Sequence, residues 1–512
     1  MSSDRRYLSF LYPFIMLGIV VMPEAAAIEV DVAKACQTID GFGASSAWIG
    51  GKITTDLATV FWQDDTLDGH IGLSLLRTRI DPDVGYSSYE AGPMKKAREI
   101  NSEVKVWSSS WIPPYEFQTD GLFNSDSASM QGFADFLVRY VQDVKKNTGI
   151  DLYAVSCQNE PDLDLAIGDG CKWTGTQLKV FTRDYWGPAW EKAGLTTKKM
   201  IGESVRNDLA ITDPSLKDTA ATKYVDIIGT HLYYGGPYPY PLADSLRKSY
   251  WTTEICGLEA PDTSMANGIY WAGRIHDCLS RCNMNAFHYW WLVNLGNNDD
   301  EGLCDENGTP APRMYTLGNF SKFIRPGFVR VAATDSPATD IRASAYYGNS
   351  VSRLVIVAIN GGAQAGIDIA IPDIPDGKTA VPWLTDSTHR LERQQPVNLS
   401  GNAFSYTLPP LSVVTFVLPD VAFAAGLKNG SSPSSRKSII VKTTVIGHTI
   451  EVPSAEKPWT VQVVSLSGRK IMRKQVPQGC RIVTIGNGYS GMVLVTTVRN
   501  GIVQTSRHLL AR

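Results

Sequence analysis

The chain has 512 residues, 43% of them hydrophobic and 19% charged, with a formal net charge of −3. Such a length accommodates a large barrel with attached modules, and such a composition excludes wholesale disorder. The near-neutral total charge singles out no partner, and no nucleic-acid partner is expected.

At the N-terminus, Arg5 and Arg6 precede the apolar run "YLSFLYPFIMLGIVVM", and "PEAAA" then supplies a small-residue cleavage site near Ala27. Residues 1–27 therefore read as a signal peptide, and no other segment is apolar long enough to span a bilayer. The mature protein is expected to be secreted or held at the cell surface, where its 8 cysteines can pair. Cys157 and Cys171 flank the loop that contains Glu160. A bridge between them would close a short loop, worth ~3 kcal/mol, and buried free thiols are the alternative. The cysteine spacings show no paired C-x-x-C pattern, so no metal site is expected.

Residues 28–325 alternate strand-like and helix-like patterns, the mark of parallel β/α units. Strands are predicted at Ile39–Phe42, Leu73–Ile80, Val104–Ser109, Leu152–Gln158, Lys199–Glu203, Val225–His231, Ser249–Glu254 and Ala286–Leu292. Between the third and fourth, Phe133, Phe136, Leu137, Tyr140, Val141 and Val144 recur at helical spacing, and Gly149 follows as a stop. Eight strands with intervening helices predict an α/β fold, a (β/α)₈ TIM barrel. A doubly wound sheet is the alternative, but no Gly-rich nucleotide fingerprint follows any strand, and no cofactor is expected.

Residues 326–420 change to short alternating runs such as "RLVIVAIN" and "SVVTFVL", which predict an attached all-β side domain. Residues 421–437, with "AGLKNGSSPSSRK", read as a linker, and 438–512 as a small C-terminal β-sandwich. From Gly426 to Arg512 there are 13 Lys/Arg against only Glu451 and Glu456, a net +11 that leaves −14 for the remainder. That asymmetry suggests a separate task for the tail.

The chemistry begins at "SCQNEPD", where Asn159, Glu160 and Pro161 follow an apolar strand. A lone Asn-Glu-Pro there reads more readily as carrying an ordinary solvated loop glutamate. Glu254 in "YWTTEICG" also closes an apolar strand, the seventh against the fourth. In a barrel the C-terminal strand ends converge on one mouth, and two carboxylates there meet the requirement for glycoside hydrolysis.

The segments "QTIDGFGASSAW", "SCQNEPD", "YWTTEICG" and "DDEGLCDENGTPAPRMYTLGNFSKFIRPGF" resemble glycoside hydrolase family 30 over roughly residues 30–420. The resemblance implies a retaining enzyme with Glu160 as acid/base and Glu254 as nucleophile. It implies that Asn159 binds the sugar 2-hydroxyl and that Arg77 in "LSLLRTRI" holds the nucleophile ionised. Trp48, Trp111, Tyr233 and Trp290 stand where the family binds substrate, although each aromatic taken alone could be core. Family glucuronoxylanases read their uronate branch with an Arg-x-Tyr pair after the eighth strand; the loop "LVNLGNNDDEGLCDENGTPAPRMY" is read as lacking that clamp, and its acidic residues should repel a uronate. A plant cell-wall polysaccharide is the expected partner, with endo-β-1,4-xylanase first and β-1,6-galactanase, β-1,6-glucanase or glucosylceramidase-like activity behind it. A non-catalytic glycan-binding surface protein is the rival of a different class. "VQVVSLSGRKI" and "GYSGMVLVTTVRNG" resemble C-terminal sandwiches that a type IX-like bacterial machinery sorts, with a carbohydrate-binding module as the competing reading. A monomer is expected.

Overall fold

The computed structural model describes residues 25–163, 170–296 and 299–423, together with strands between 440 and 510. Eight parallel strands run in the order Gly41–Ser45, Leu75–Ile80, Lys105–Ser110, Ala154–Ser156, Lys198–Ser204, Ile227–His231, Ser249–Glu254 and Ala286–Val293. The eighth pairs with both the first and the seventh, closing the barrel. The helix Ser127–Thr148 buries the predicted stripe against the barrel and ends on Gly149, which takes the left-handed conformation (φ 75°) that glycine adopts without steric cost.

Glu254 is the last residue of the seventh strand, as expected. The fourth strand stops at Ser156, so Glu160 lies four residues beyond it in a loop. The strand run was read too long because Cys157 and Gln158 are also buried, and burial alone does not distinguish strand from tight loop.

The side domain reaches further than the sequence suggested. Strand Ala26–Thr38 does not belong to the barrel: it pairs antiparallel with Val329–Ala333 and, at its start, parallel with Ala365–Ala370. It joins the β-domain because Ile28, Val30 and Val32 alternate into that domain's core beside Ile356 and Phe416. Its first residues, Ala26 and Ala27, fall within the segment read as a signal peptide. At the other end, Val421 is buried in the same core and bonded to Ser352 (2.7 Å), so the domain includes the first residues assigned to the linker. The rest of that linker, 424–437, lies outside the described residues.

The C-terminal unit contains a three-stranded sheet of Ile440–Thr444, Gly447–Glu451 and Ile482–Gly486. A four-stranded sheet of Trp459–Ser465, Lys470–Val476, Gly491–Arg499 and Ile502–Leu510 accompanies it, and both sheets are antiparallel. No helix among the described residues is long and apolar enough to cross a membrane.

The expected bridge between Cys157 and Cys171 is not formed. Both are buried free thiols, and burial raises the pKa of each, that of Cys171 to about 12. Each occupies an apolar core position, where a cysteine serves as a small hydrophobe.

Candidate active site

Glu160, Glu254 and His231 converge at the C-terminal mouth, with one carboxylate or imidazole atom from each within 4.8 Å of the others. Glu160 adopts left-handed backbone geometry (φ 44°), which costs about 1–3 kcal/mol for a residue with a side chain. Its loop is pinned from several directions. The Asn159 N–H donates to the Ser110 carbonyl (2.7 Å), and the Glu160 N–H donates to the Glu203 carbonyl (3.1 Å). Gln158 donates to the Trp111 carbonyl (2.9 Å) and accepts from the Trp173 indole (3.0 Å).

Arg77 on the second strand is fully buried, and its two terminal nitrogens are shared out. Nη1 donates to Glu254, and Nη2 donates to Asn159 Oδ1 (2.6 Å) and to Glu203 Oε1 (3.0 Å). Tyr233 donates its hydroxyl to the other oxygen of Glu254 (2.7 Å). Glu254 is thus held on both oxygens, the arrangement that fixes a carboxylate's orientation.

Glu160 has a different setting. Burial lifts its carboxyl pKa above the ordinary carboxylate value, and the Glu254 charge adds to this. A hydrogen bond from His231 Nδ1 (2.8 Å) works in the opposite direction without cancelling the rise. The two carboxylates thus have different partners: Glu254 accepts from Arg77 and Tyr233, and Glu160 from His231.

The aromatic residues form one flank of a cleft of about 470 Å³. Trp111 packs edge-on to Trp48 (ring centroids 4.9 Å apart) and tilted on Trp290 (5.5 Å), and the Arg77 guanidinium lies 4.4 Å from the Trp111 ring. Trp111 and Trp290 are nearly buried, whereas Trp48 is 38% exposed at the rim. Trp48 is left-handed (φ 60°), its N–H on Glu90 (3.3 Å), its carbonyl accepting from Tyr89 (2.7 Å) and its ring beside Arg79. All eight predicted catalytic and substrate-binding residues gather here.

Sequence reasoning missed Glu203, His231 and Ser109, which bind the machinery from behind. A usable signal existed: Glu203 and His231 each close a predicted strand run, as Glu254 does. The reading that the segment after the eighth strand lacks an Arg-x-Tyr pair is corrected here: Arg313 and Tyr315 have that spacing, and they lie in the helix Pro312–Ser321. Arg313 is buried, pairs with Asp300 (2.9 Å) and donates to the Gly302 carbonyl (2.8 Å), so it braces the loop.

Comparison with known proteins accords with this geometry. Residues 86–275 match the glycosyl hydrolase family 30 TIM-barrel domain. The crystal structure of the family 30 subfamily 8 xylanase Xyn30A from Clostridium acetobutylicum is 31% identical, covering 77% of this chain and 100% of that one (TM-score 0.68). The chain belongs to glycosyl hydrolase family 30. It is also similar to glucuronoxylanase XynC of Bacillus subtilis (strain 168), 29% identical over 79% of this chain and 96% of that protein. The lysosomal acid glucosylceramidase of Mus musculus is 25% identical, over 57% of this chain and 63% of its own. This family 30 member is therefore a glycoside hydrolase with xylanase-like relatives.

Proposed function

We propose that the protein is a secreted, retaining endo-β-1,4-xylanase acting on plant cell-wall xylan. The observation that carries the mechanism is the approach of a Glu160 oxygen to a Glu254 oxygen, within 4.8 Å. Retaining enzymes need about 5–5.5 Å between the carboxyl groups, whereas inverting ones need about 6.5–9.5 Å to admit a water between them. Glu254, held by Arg77 and Tyr233, attacks the anomeric carbon while Glu160 protonates the leaving oxygen. A glycosyl-enzyme on Glu254 results. Glu160, now a carboxylate, then takes a proton from water, which hydrolyses the intermediate with the configuration retained. Asn159, oriented by Arg77, binds the sugar hydroxyl next to the reacting carbon.

Xylan is favoured because relatives at 29–31% identity, matched over 77–79% of this chain, are xylanases. A glucuronate branch is not required in this reading, since Arg313 is committed to Asp300 and Glu301 lines the cleft. The basic tail, net +11 from Gly426 onward, is assigned to sorting or surface attachment rather than to the neutral glycan. Product analysis on glucuronoxylan, arabinoxylan, unbranched xylan, β-1,6-galactan and β-1,6-glucan tests the substrate. Internal cleavage of unbranched xylan is expected. Activity confined to a β-1,6-linked glycan, or cleavage only at fixed distances from glucuronate branches, would overturn the assignment.

A further inference from the structure

Glu160, Glu203 and Glu254 are buried together at the mouth, and the double displacement uses two of them. The third, Glu203, lies in the fifth barrel strand, wholly buried and left-handed (φ 49°), where pairing with the sixth strand slips between Gly202 and Ser204. Such a conformation persists only where the surroundings hold it. Its carbonyl accepts from the Glu160 N–H (3.1 Å). Its Oε1 accepts from Arg77 Nη2 (3.0 Å), and Arg77 binds Glu254 through its other terminal nitrogen. Its Oε2 accepts from Ser109. Oε1 also lies 3.6 Å from His231 Nε2, an ion-pair distance, and that nitrogen has no hydrogen-bond partner among the described residues.

We propose that Glu203 is a positioning residue for both catalytic glutamates: its carbonyl fixes the Glu160 backbone, and its carboxylate orients Arg77 on Glu254 and keeps His231 an imidazolium directed at Glu160. The proposal rests on the double-displacement reading. The titratable groups facing Glu203 are Arg77 from the second strand, Cys157 and Glu160 from the loop after the fourth, His231 from the sixth, Glu254 from the seventh and His288 from the eighth. Of the two histidines, His288 is neutral. Burial lowers its pKa to about 3, and its Nε2 accepts from the Trp107 indole (3.0 Å). Burial also opposes charge on His231, but Glu254, Glu160 and Glu203 together outweigh it and push its pKa up to about 10. Glu203 itself is held down at about 2, because Arg77, His231 and Ser109 overcome its own burial.

The consequence for the reaction is specific. When Glu160 gives its proton to the leaving oxygen, it becomes a buried carboxylate. The His231 Nδ1–H at 2.8 Å is the donor that stabilises it, and a neutral imidazole would do so less well. His231 keeps its proton throughout.

The test is an ¹⁵N NMR titration of His231 in the full chain, wild type against Glu203→Gln and Glu203→Asp, with pH–rate profiles on a soluble xylo-oligosaccharide. Removing an opposite charge at this range lowers a pKa by about 1 unit or more. In E203Q, His231 is expected to deprotonate at least about 1 pH unit below wild type, with kcat reduced more than KM is changed. In E203D the charge is kept, and the titration returns toward wild type. An unmoved His231 titration in E203Q overturns the proposal even if activity falls, because a merely structural role lowers activity without shifting it. Failure of both variants to fold also overturns it, since the residue would then be a folding element. An inverted product from the wild type would instead overturn the double-displacement reading, whatever His231 does.

Discussion

At the lower end of the barrel the strands point Leu75, Trp107, Ala154 and Ile227 into one apolar cluster with Met200 and Trp251. Further along the same faces, at even spacing, stand Arg77, Ser109, Ser156 and His231, all buried. One end is filled by apolar side chains and the other by polar and charged ones. Burying apolar area stabilises the fold, whereas buried ion pairs contribute little net stability because desolvation offsets their attraction. The lower layer therefore sets how firmly the barrel holds together. The upper layer sets what it can do.

The sharpest way to break this contrast is to neutralise the upper layer. Glu254→Gln is expected to reduce kcat on the order of 10⁴-fold or more, because no other group can form the covalent intermediate, while the protein stays folded by circular dichroism. Residual turnover within a factor of ten would show that another residue attacks. Glu160→Ala is expected to lose about 10²–10⁴-fold on natural linkages. Azide should restore turnover on substrates with good leaving groups, which need little protonation. A lack of rescue, with the fold intact, would place the acid/base elsewhere.

At the lower end the expected effect has the other character. Trp251→Ala removes a wholly buried indole that donates to Asp40 (2.8 Å), and should cost about 3–5 kcal/mol by denaturant unfolding. Activity per folded molecule should change little. A tenfold loss of kcat in the folded fraction would mean the two layers are not separable.

Protonation gives a finer test. The acid must be protonated, and Glu160 is raised by burial, so activity should hold above the ordinary carboxylate pKa and fall as pH rises through the raised value. In Glu160→Gln the basic limb of the residual activity should disappear. If it is unmoved, that limb belongs to another group. The smallest effect is expected from removing the tail. Truncation after Phe423 should leave kinetics on soluble oligosaccharides within about twofold, because Val421 and Phe423 complete the side domain's core while the C-terminal unit is a separate body. Cutting after Pro419 instead removes Val421 and should destabilise the domain.

Much of this was legible from the residues because barrel strands are apolar runs bounded by turns. Strand seven was delimited to the residue, and Glu254 stood out as a carboxylate where packing alone would place none. The same logic reached Glu203 and His231 without being applied, since a strand-end polar group acquires meaning only once its partner across the barrel is known. Arg77 shows the reverse case: it was reached through the family resemblance, and the structure then places it fully buried between Glu254, Asn159 and Glu203. The side domain's first strand, Ala26–Thr38, was hidden because it pairs with segments some 300 residues away, and local pattern carries no such information. The failed bridge has a similar origin. Spacing limits loop length but says nothing about the direction of two buried thiols.

The central claim is that Glu160 and Glu254 act by double displacement, and the stereochemistry of the first product tests it most directly. Hydrolysis of a soluble β-linked xylo-oligosaccharide, followed by ¹H NMR from the first minute, should show the β-anomer appearing first and then mutarotating. The α-anomer appearing first would contradict the account.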